Sequence, residues 1–140
     1  MKKLNQLDNP LLTRASSIEI GKSLRKAHPL ESHASIEHRP KGFSSNLILE
    51  NSNEDRLAGL IPIRYGRMLA SPFAFLRGSA SLMADDLSRT PNSGIYVQAC
   101  GDCHLLNFGA FATPERKLVF DINDFDETLP APWEWDVKRL

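Results

Sequence analysis

Cys100-Gly101-Asp102-Cys103-His104-Leu105-Leu106-Asn107-Phe108-Gly109 decides how the rest of this chain is read. Ile95 to Cys100 has the apolar, β-branched and aromatic content of a strand, and it delivers Gly101 and Asp102 to its C-terminal end, where loops carry function. Five residues beyond Asp102 stands Asn107, and a second acidic cluster follows in Phe120-Asp121-Ile122-Asn123-Asp124-Phe125-Asp126-Glu127. An Asp with an Asn five residues on, then a strand ending in Asp, is how a phosphoryl-transfer loop sets a base and magnesium ligands around a phosphate. On this pattern Asp102 is the candidate catalytic base. Asn107 and Asp121 are the candidate Mg²⁺ ligands, with Asp124 in reserve, because Mg²⁺ takes one or two carboxylates and completes its shell with water.

Each of these residues also has a plainer role. Gly101-Asp102 suits a turn cap, and Asp121, Asp124, Asp126 and Glu127 suit a solvated loop. Their combination with an intervening hairpin favours the phosphotransfer pattern. Two rival motifs use the same residues. Cys100-Gly-Asp-Cys103-His104 satisfies the attachment signature of a c-type haem, but no signal peptide accompanies it, and no second Cys/His pair completes a zinc site. Asp102-x-His104 after a strand is similar to the first metal motif of dinuclear phosphoesterases, whose later Gly-Asn-His is missing here. A metal-dependent phosphoesterase is therefore the alternative, with a non-catalytic remnant or binding module behind it. His104 is expected to orient the loop by hydrogen bonding.

The 140 residues suit one domain, and 41% hydrophobic content is enough for a core. Lys and Arg balance Asp and Glu at 17 each, but residues 1–80 carry twelve basic against seven acidic side chains, and residues 81–140 carry five against ten. The carboxylates gather where the motifs are. The basic residues are dispersed, which argues against nucleic acid as a partner. No run of apolar residues is long enough to span a membrane, and Asn5, Gln6, Asp8 and Asn9 break any signal-like apolar segment after Met1. A cytoplasmic location is expected, with Cys100 and Cys103 as free thiols.

Leu11, Ala15, Ile18 and Leu24 predict a surface helix over 11–27. Pro29, Pro40 and Gly42 mark 28–45 as a connector, and a further helix is expected to cover much of 46–58. His28, His33 and His38 recur every five positions, so a helix would point them in different directions and they form no metal site. Ser71-Pro72 suits the start of a helix, and Phe73, Leu76, Ala80, Met83 and Leu87 carry its apolar face to Ser88. A turn over 89–94, the strand 95–100, a hairpin of 108–112 with 117–122, and a last helix with Pro132 at its first position complete the pattern. Arg64, Arg67 and Arg77 are able to clamp a phosphate, but ion pairs with the acidic cluster are the expected role. Of Trp133 and Trp135, one is expected to face the core and the other to be partly exposed.

Ile61-Pro-Ile-Arg64-Tyr-Gly-Arg67-Met, Ser71-Pro-Phe-Ala-Phe-Leu-Arg77-Gly, Gly101 to Gly109, Phe120 to Thr128 and Trp133-Glu-Trp-Asp136-Val-Lys-Arg-Leu140 together resemble successive blocks of the bacterial domain-of-unknown-function 2252 family over about residues 25–140. That family's core is in turn similar to the protein-kinase-like, aminoglycoside-phosphotransferase fold, whose loop, Asp-ending strand and later Asp match Asp102, Asn107, Asp121 and Asp136. The resemblance implies an α+β, partial protein-kinase-like fold: an N-terminal helical segment over 1–27 and an incomplete kinase-like domain over 28–140. Asp136 would then support the loop from below. Cys100 stands where aminoglycoside phosphotransferases carry His, and Ala131 where the family carries Gly. Members of the family are much longer, and their glycine-rich segment and lysine follow this region. ATP would accordingly bind only in a full-length context, and this truncated piece of a phosphotransferase for an unknown acceptor is expected to be inactive alone. Its expected partner is the missing C-terminal part of the same domain.

Overall fold

The computed structural model describes residues 13–35 and 39–140; Leu11, His38 and the charged stretch after Met1 lie outside the described residues. Within them the chain is α+β. The helices are α1 (Arg14–Ala27), α2 (Ser45–Asn51), α3 (Ile61–Met68), α4 (Pro72–Gly78), α5 (Ala80–Leu87) and α6 (Glu134–Arg139). The strands are β1 (Tyr96–Ala99), β2 (Phe108–Ala112), β3 (Leu118–Ile122) and β4 (Leu129–Pro132). Among the described residues no helix is long and apolar enough to cross a membrane.

Thr13 caps α1 by accepting the Ser16 N–H at 3.2 Å, and Arg25 and Lys26 close the helix where its dipole favours positive charge. None of its described residues is buried, in keeping with a surface helix. α2 stops at Asn51, well short of 58. There Ser52 Oγ donates to the Leu49 carbonyl at 2.7 Å, and the chain turns through Asn53 and Arg56. α3 is not anticipated by the apolar pattern: Gly66 interrupts it, and Pro62 is tolerated only because it falls in the first turn.

The helix expected over 71–88 is broken. Ser71 does cap it, accepting the Ala74 N–H at 3.0 Å with Pro72 following, but α4 ends at Gly78 and α5 begins at Ala80. Three interactions make the break. A side chain at position 78 would meet Met68 Cγ at 2.5 Å, so α3 can approach here only against glycine. Ser79 Oγ donates back to the Phe75 carbonyl at 2.7 Å, which bends helices. The Leu76 and Gly78 carbonyls instead accept from Arg139 and Arg64, at 2.6 and 2.7 Å. Below this corner lies the small core of Leu49, Met68 and Leu82, flanked by Phe43, Ile48 and Tyr65. Burying a side chain such as Met68 contributes about 2 kcal/mol.

Two antiparallel ribbons complete the fold. β2 and β3 form the expected hairpin, pairing Phe108 with Ile122 and Ala112 with Leu118. β1 pairs with β4, Tyr96 opposite Pro132 and Ala99 opposite Leu129. β4 is unannounced by the sequence because Pro130 and Pro132 argue against a strand, yet a two-stranded ribbon has an open edge where a missing N–H costs no ladder bond. Pro132 therefore closes β4, and Trp133 rather than Pro132 leads into α6. β1 is not the buried strand expected: with one neighbour only, Tyr96, Val97 and Gln98 are exposed and Ala99 alone is buried. Trp133 is exposed and Trp135 only partly buried, so neither is the core tryptophan expected.

Candidate functional site

β1 ends at the loop that carries Asp102, and the loop's backbone is held from two sides. Gly101 has φ +82°, and a side chain there would run into the Glu127 carbonyl, so only glycine lets the acidic loop lie this close. From α6, Asp136 accepts the Cys100 N–H at 2.8 Å and the Gly101 N–H at 3.1 Å. Asp136 thus supports the loop's backbone from α6. From the other side, Asn107 Nδ2 donates to the Asp102 carbonyl at 2.7 Å. The same carbonyl accepts the His104 N–H at 2.8 Å, and the Asn107 carbonyl accepts the Asn123 N–H at 2.9 Å.

The Asp102 side chain is fixed by a residue that sequence reasoning missed. Arg139, 3% exposed, donates its Nε to Asp102 Oδ1 at 2.6 Å. Its Nη2 reaches the Leu76 carbonyl at 2.6 Å, and its Nη1 lies 3.3 Å from Met83 Sδ. The available signal was spacing, since Arg139 follows Asp136 by three residues and so shares its helix face. Asp102 Oδ2 makes no hydrogen bond among the described residues. His104 Nε2 stands 3.6 Å from it, too far for one, and the buried His104 Nδ1 has no partner. His104 thus shapes the loop through its backbone, while its ring sits edge-on to Phe73 at 6.1 Å.

Asp102, His104 and Asn107 open onto a cleft of about 880 Å³. Asp124, Asp126 and Glu127 continue this wall, and Arg56, Arg64, Arg67 and Arg77 also line the cleft. Of the four predicted site residues the cleft brings together Asp102, Asn107 and Asp124. Asp121 is not among its lining; it pairs across the hairpin with Gly109 and accepts the Ile122 N–H at 2.7 Å. Asp124 Oδ1 accepts the Asp126 N–H at 3.2 Å. Among the described residues no three His, Cys, Asp or Glu side chains form a group able to hold a metal. Oxygen donors from Asn107 and Asp124 nevertheless suit a hard cation that keeps most of its water.

The arginines do not pair with the acidic loop as expected. Arg56 approaches Glu127 at 3.9 Å, whereas Arg64 donates to Asn53 Oδ1 at 2.6 Å and to the Gly78 carbonyl. Among the described residues Arg67 and Arg77 have no ion-pair partner.

Both cysteines are buried free thiols. Cys100 Sγ donates to the Asp124 carbonyl at 3.3 Å, tying the acidic loop to the end of β1. Burial raises both thiols, Cys103 to about 11, and neighbouring Asp136 pushes the same way. They are protonated at neutral pH.

A family model described as "Uncharacterized protein conserved in bacteria (DUF2252)" matches residues 56–140. The match takes in the cleft arginines, the Asp102 loop, the hairpin and α6. No curated protein and no solved structure matches the chain.

Proposed function

The chain belongs to this bacterial family, and on that footing we propose that its cleft is the carboxylate half of a kinase-like phosphoryl-transfer site for an acceptor of unknown identity. One observation carries the reading. Asp102 is fixed through its carbonyl by Asn107 and through Oδ1 by Arg139, while it lines a cleft that also holds carboxylates and guanidiniums. Phosphoryl transfer depends on positioning and charge stabilisation more than on covalent chemistry, and such an arrangement supplies both.

In this reading Asp102 Oδ2 accepts a hydrogen bond from the acceptor hydroxyl and aligns its oxygen with phosphorus. As the new P–O bond forms and the bond to the leaving oxygen breaks, the hydroxyl proton passes to that carboxylate. Arg139 keeps the carboxylate from rotating and balances its charge when no acceptor is present. Asp124 and the Asn107 amide oxygen are the residues that would hold Mg²⁺, with Asp121 as the sequence-based alternative. When bound, the ion would neutralise charge on the phosphate oxygens.

Metal titration tests the assignment directly. Mn²⁺ binding to the chain, followed by its electron paramagnetic resonance signal, is expected to be lost in Asp124→Ala and retained in Asp121→Ala. The reverse order overturns the choice of Asp124. In a longer family member with ATP, replacing the residue equivalent to Asp102 with Asn is expected to lower turnover by about 100-fold or more while ATP still binds. Unchanged turnover there removes Asp102 from the chemistry.

A further inference from the structure

Among the described residues, three of the cleft's guanidiniums, those of Arg64, Arg67 and Arg77, lack the carboxylate partner that the arginines packed elsewhere in the fold have. Arg39 forks onto Asp86 at 2.9 and 2.7 Å, Arg89 pairs with Asp85 at 2.6 Å, and Arg139 holds Asp102. Arg64 and Arg67 lie one turn apart on α3, Arg77 comes from α4, and all three line the cleft with no carboxylate in ion-pair range among the described residues. Arg64 is also pre-set. Asn53 and the Gly78 carbonyl hold its two terminal nitrogens, so its guanidinium cannot swing out to solvent. Burial first, and then the neighbouring Arg56, push its pKa down.

Three guanidiniums facing one cleft with no described carboxylate within ion-pair range favour a multiply charged oxyanion, which arginines bind in forked, bidentate fashion. We infer that Arg64, Arg67 and Arg77 form a binding site for a phosphate or diphosphate group of a small-molecule ligand, opposite the carboxylates of the same cleft. As a statement about the reaction this rests on the phosphotransfer reading; as a statement about binding it does not. The chain contains no Gly-x-Gly-x-x-Gly segment. In this cleft side-chain guanidiniums supply the phosphate contacts that such a loop makes with backbone N–H groups.

Calorimetric titration of the full chain with inorganic pyrophosphate, in metal-free buffer, tests the site. Wild type is expected to bind, and the double variant R67A/R77A to bind at least tenfold more weakly. Both arginines are exposed, so the variant keeps its fold, which circular dichroism verifies. K22A/K26A on α1 removes the same charge away from the cleft and is expected to bind as wild type does. A parallel titration with inorganic phosphate identifies the source: binding confined to pyrophosphate assigns a diphosphate, and equal binding of both assigns a phosphomonoester. Absence of pyrophosphate binding in wild type, or equal weakening in both double variants, overturns the inference. Because no metal or turnover is involved, that failure is separate from a failure of Asp102 or Asp124 in phosphoryl transfer.

Discussion

Arg139 Nε lies 2.6 Å from Asp102 Oδ1, so a buried guanidinium near the C-terminus of α6 locks the carboxylate at the end of β1. One helix thus controls the loop twice, since Asp136 of the same face holds the backbone N–H groups of Cys100 and Gly101. Arg139 also ties this loop to the α4–α5 corner through the Leu76 carbonyl. Three structural units meet at a single side chain.

Removing Arg139 leaves the Asp102 carboxylate without its counter-charge and takes from the Leu76 carbonyl its shortest hydrogen bond. Arg139→Ala is expected to destabilise the chain by about 3 kcal/mol, read from the urea midpoint. Arg139→Lys keeps the charge but cannot reproduce the fork, and should lose about 1–2 kcal/mol. A midpoint unchanged in Arg139→Ala would mean that the pair contributes nothing to the fold.

Gly101→Ala is the sharpest test of how the acidic loop seats on β1. The new methyl combines a disfavoured positive φ with a collision against the Glu127 backbone carbonyl, which has no side-chain freedom to yield. A loss of more than about 3 kcal/mol is expected. Gly66→Ala within α3 meets no atom within 4 Å, and is expected to stabilise by about 0.5–1 kcal/mol. Equal melting temperatures for the two variants would contradict the described contact.

The two buried thiols predict both reactivity and pH dependence. Iodoacetamide at pH 7.5 should modify neither cysteine in the folded chain and both in urea, because thiolate is scarce and access is closed. Cys103 is raised from its ordinary 9.0 to about 11. Between those values the folded chain keeps a proton that the unfolded chain has released, so this contribution to stability is full below pH 9 and is lost as pH climbs through 11. Urea midpoints measured from pH 8 upward should therefore fall, and fall less in Cys103→Ala. Identical slopes for wild type and variant would show that Cys103 titrates normally.

The elements legible in the sequence are those whose signals are local. Ser71-Pro72 marks a helix start by side-chain capping and a fixed φ, and the 108–122 hairpin is announced by two apolar runs around a short polar turn. The helix break at Gly78 was invisible because it answers to Met68, Arg64 and Arg139, residues ten or more positions away in sequence. β4 was hidden for a related reason: its prolines forbid a central strand, and only the tertiary arrangement shows that this ribbon has a free edge. At the site, Asp102 and Asn107 stood out by spacing. Arg139 did not, because nothing near it in sequence names its partner across the fold.

The sequence alone singled out the candidate residues, Asp102 with Asn107 and a following acidic loop, because a loop's pattern is written in short spacings that a strand and a turn preserve. Only the tertiary structure decided that Asp124 rather than Asp121 joins them in the cleft, that Arg139 holds the carboxylate, and that Arg64, Arg67 and Arg77 share that cleft. Those relations depend on how helices and ribbons pack against one another. Packing is set by the shapes and unpaired polar groups of residues far apart along the chain, such as Gly78 against Met68 and the Leu76 carbonyl against Arg139.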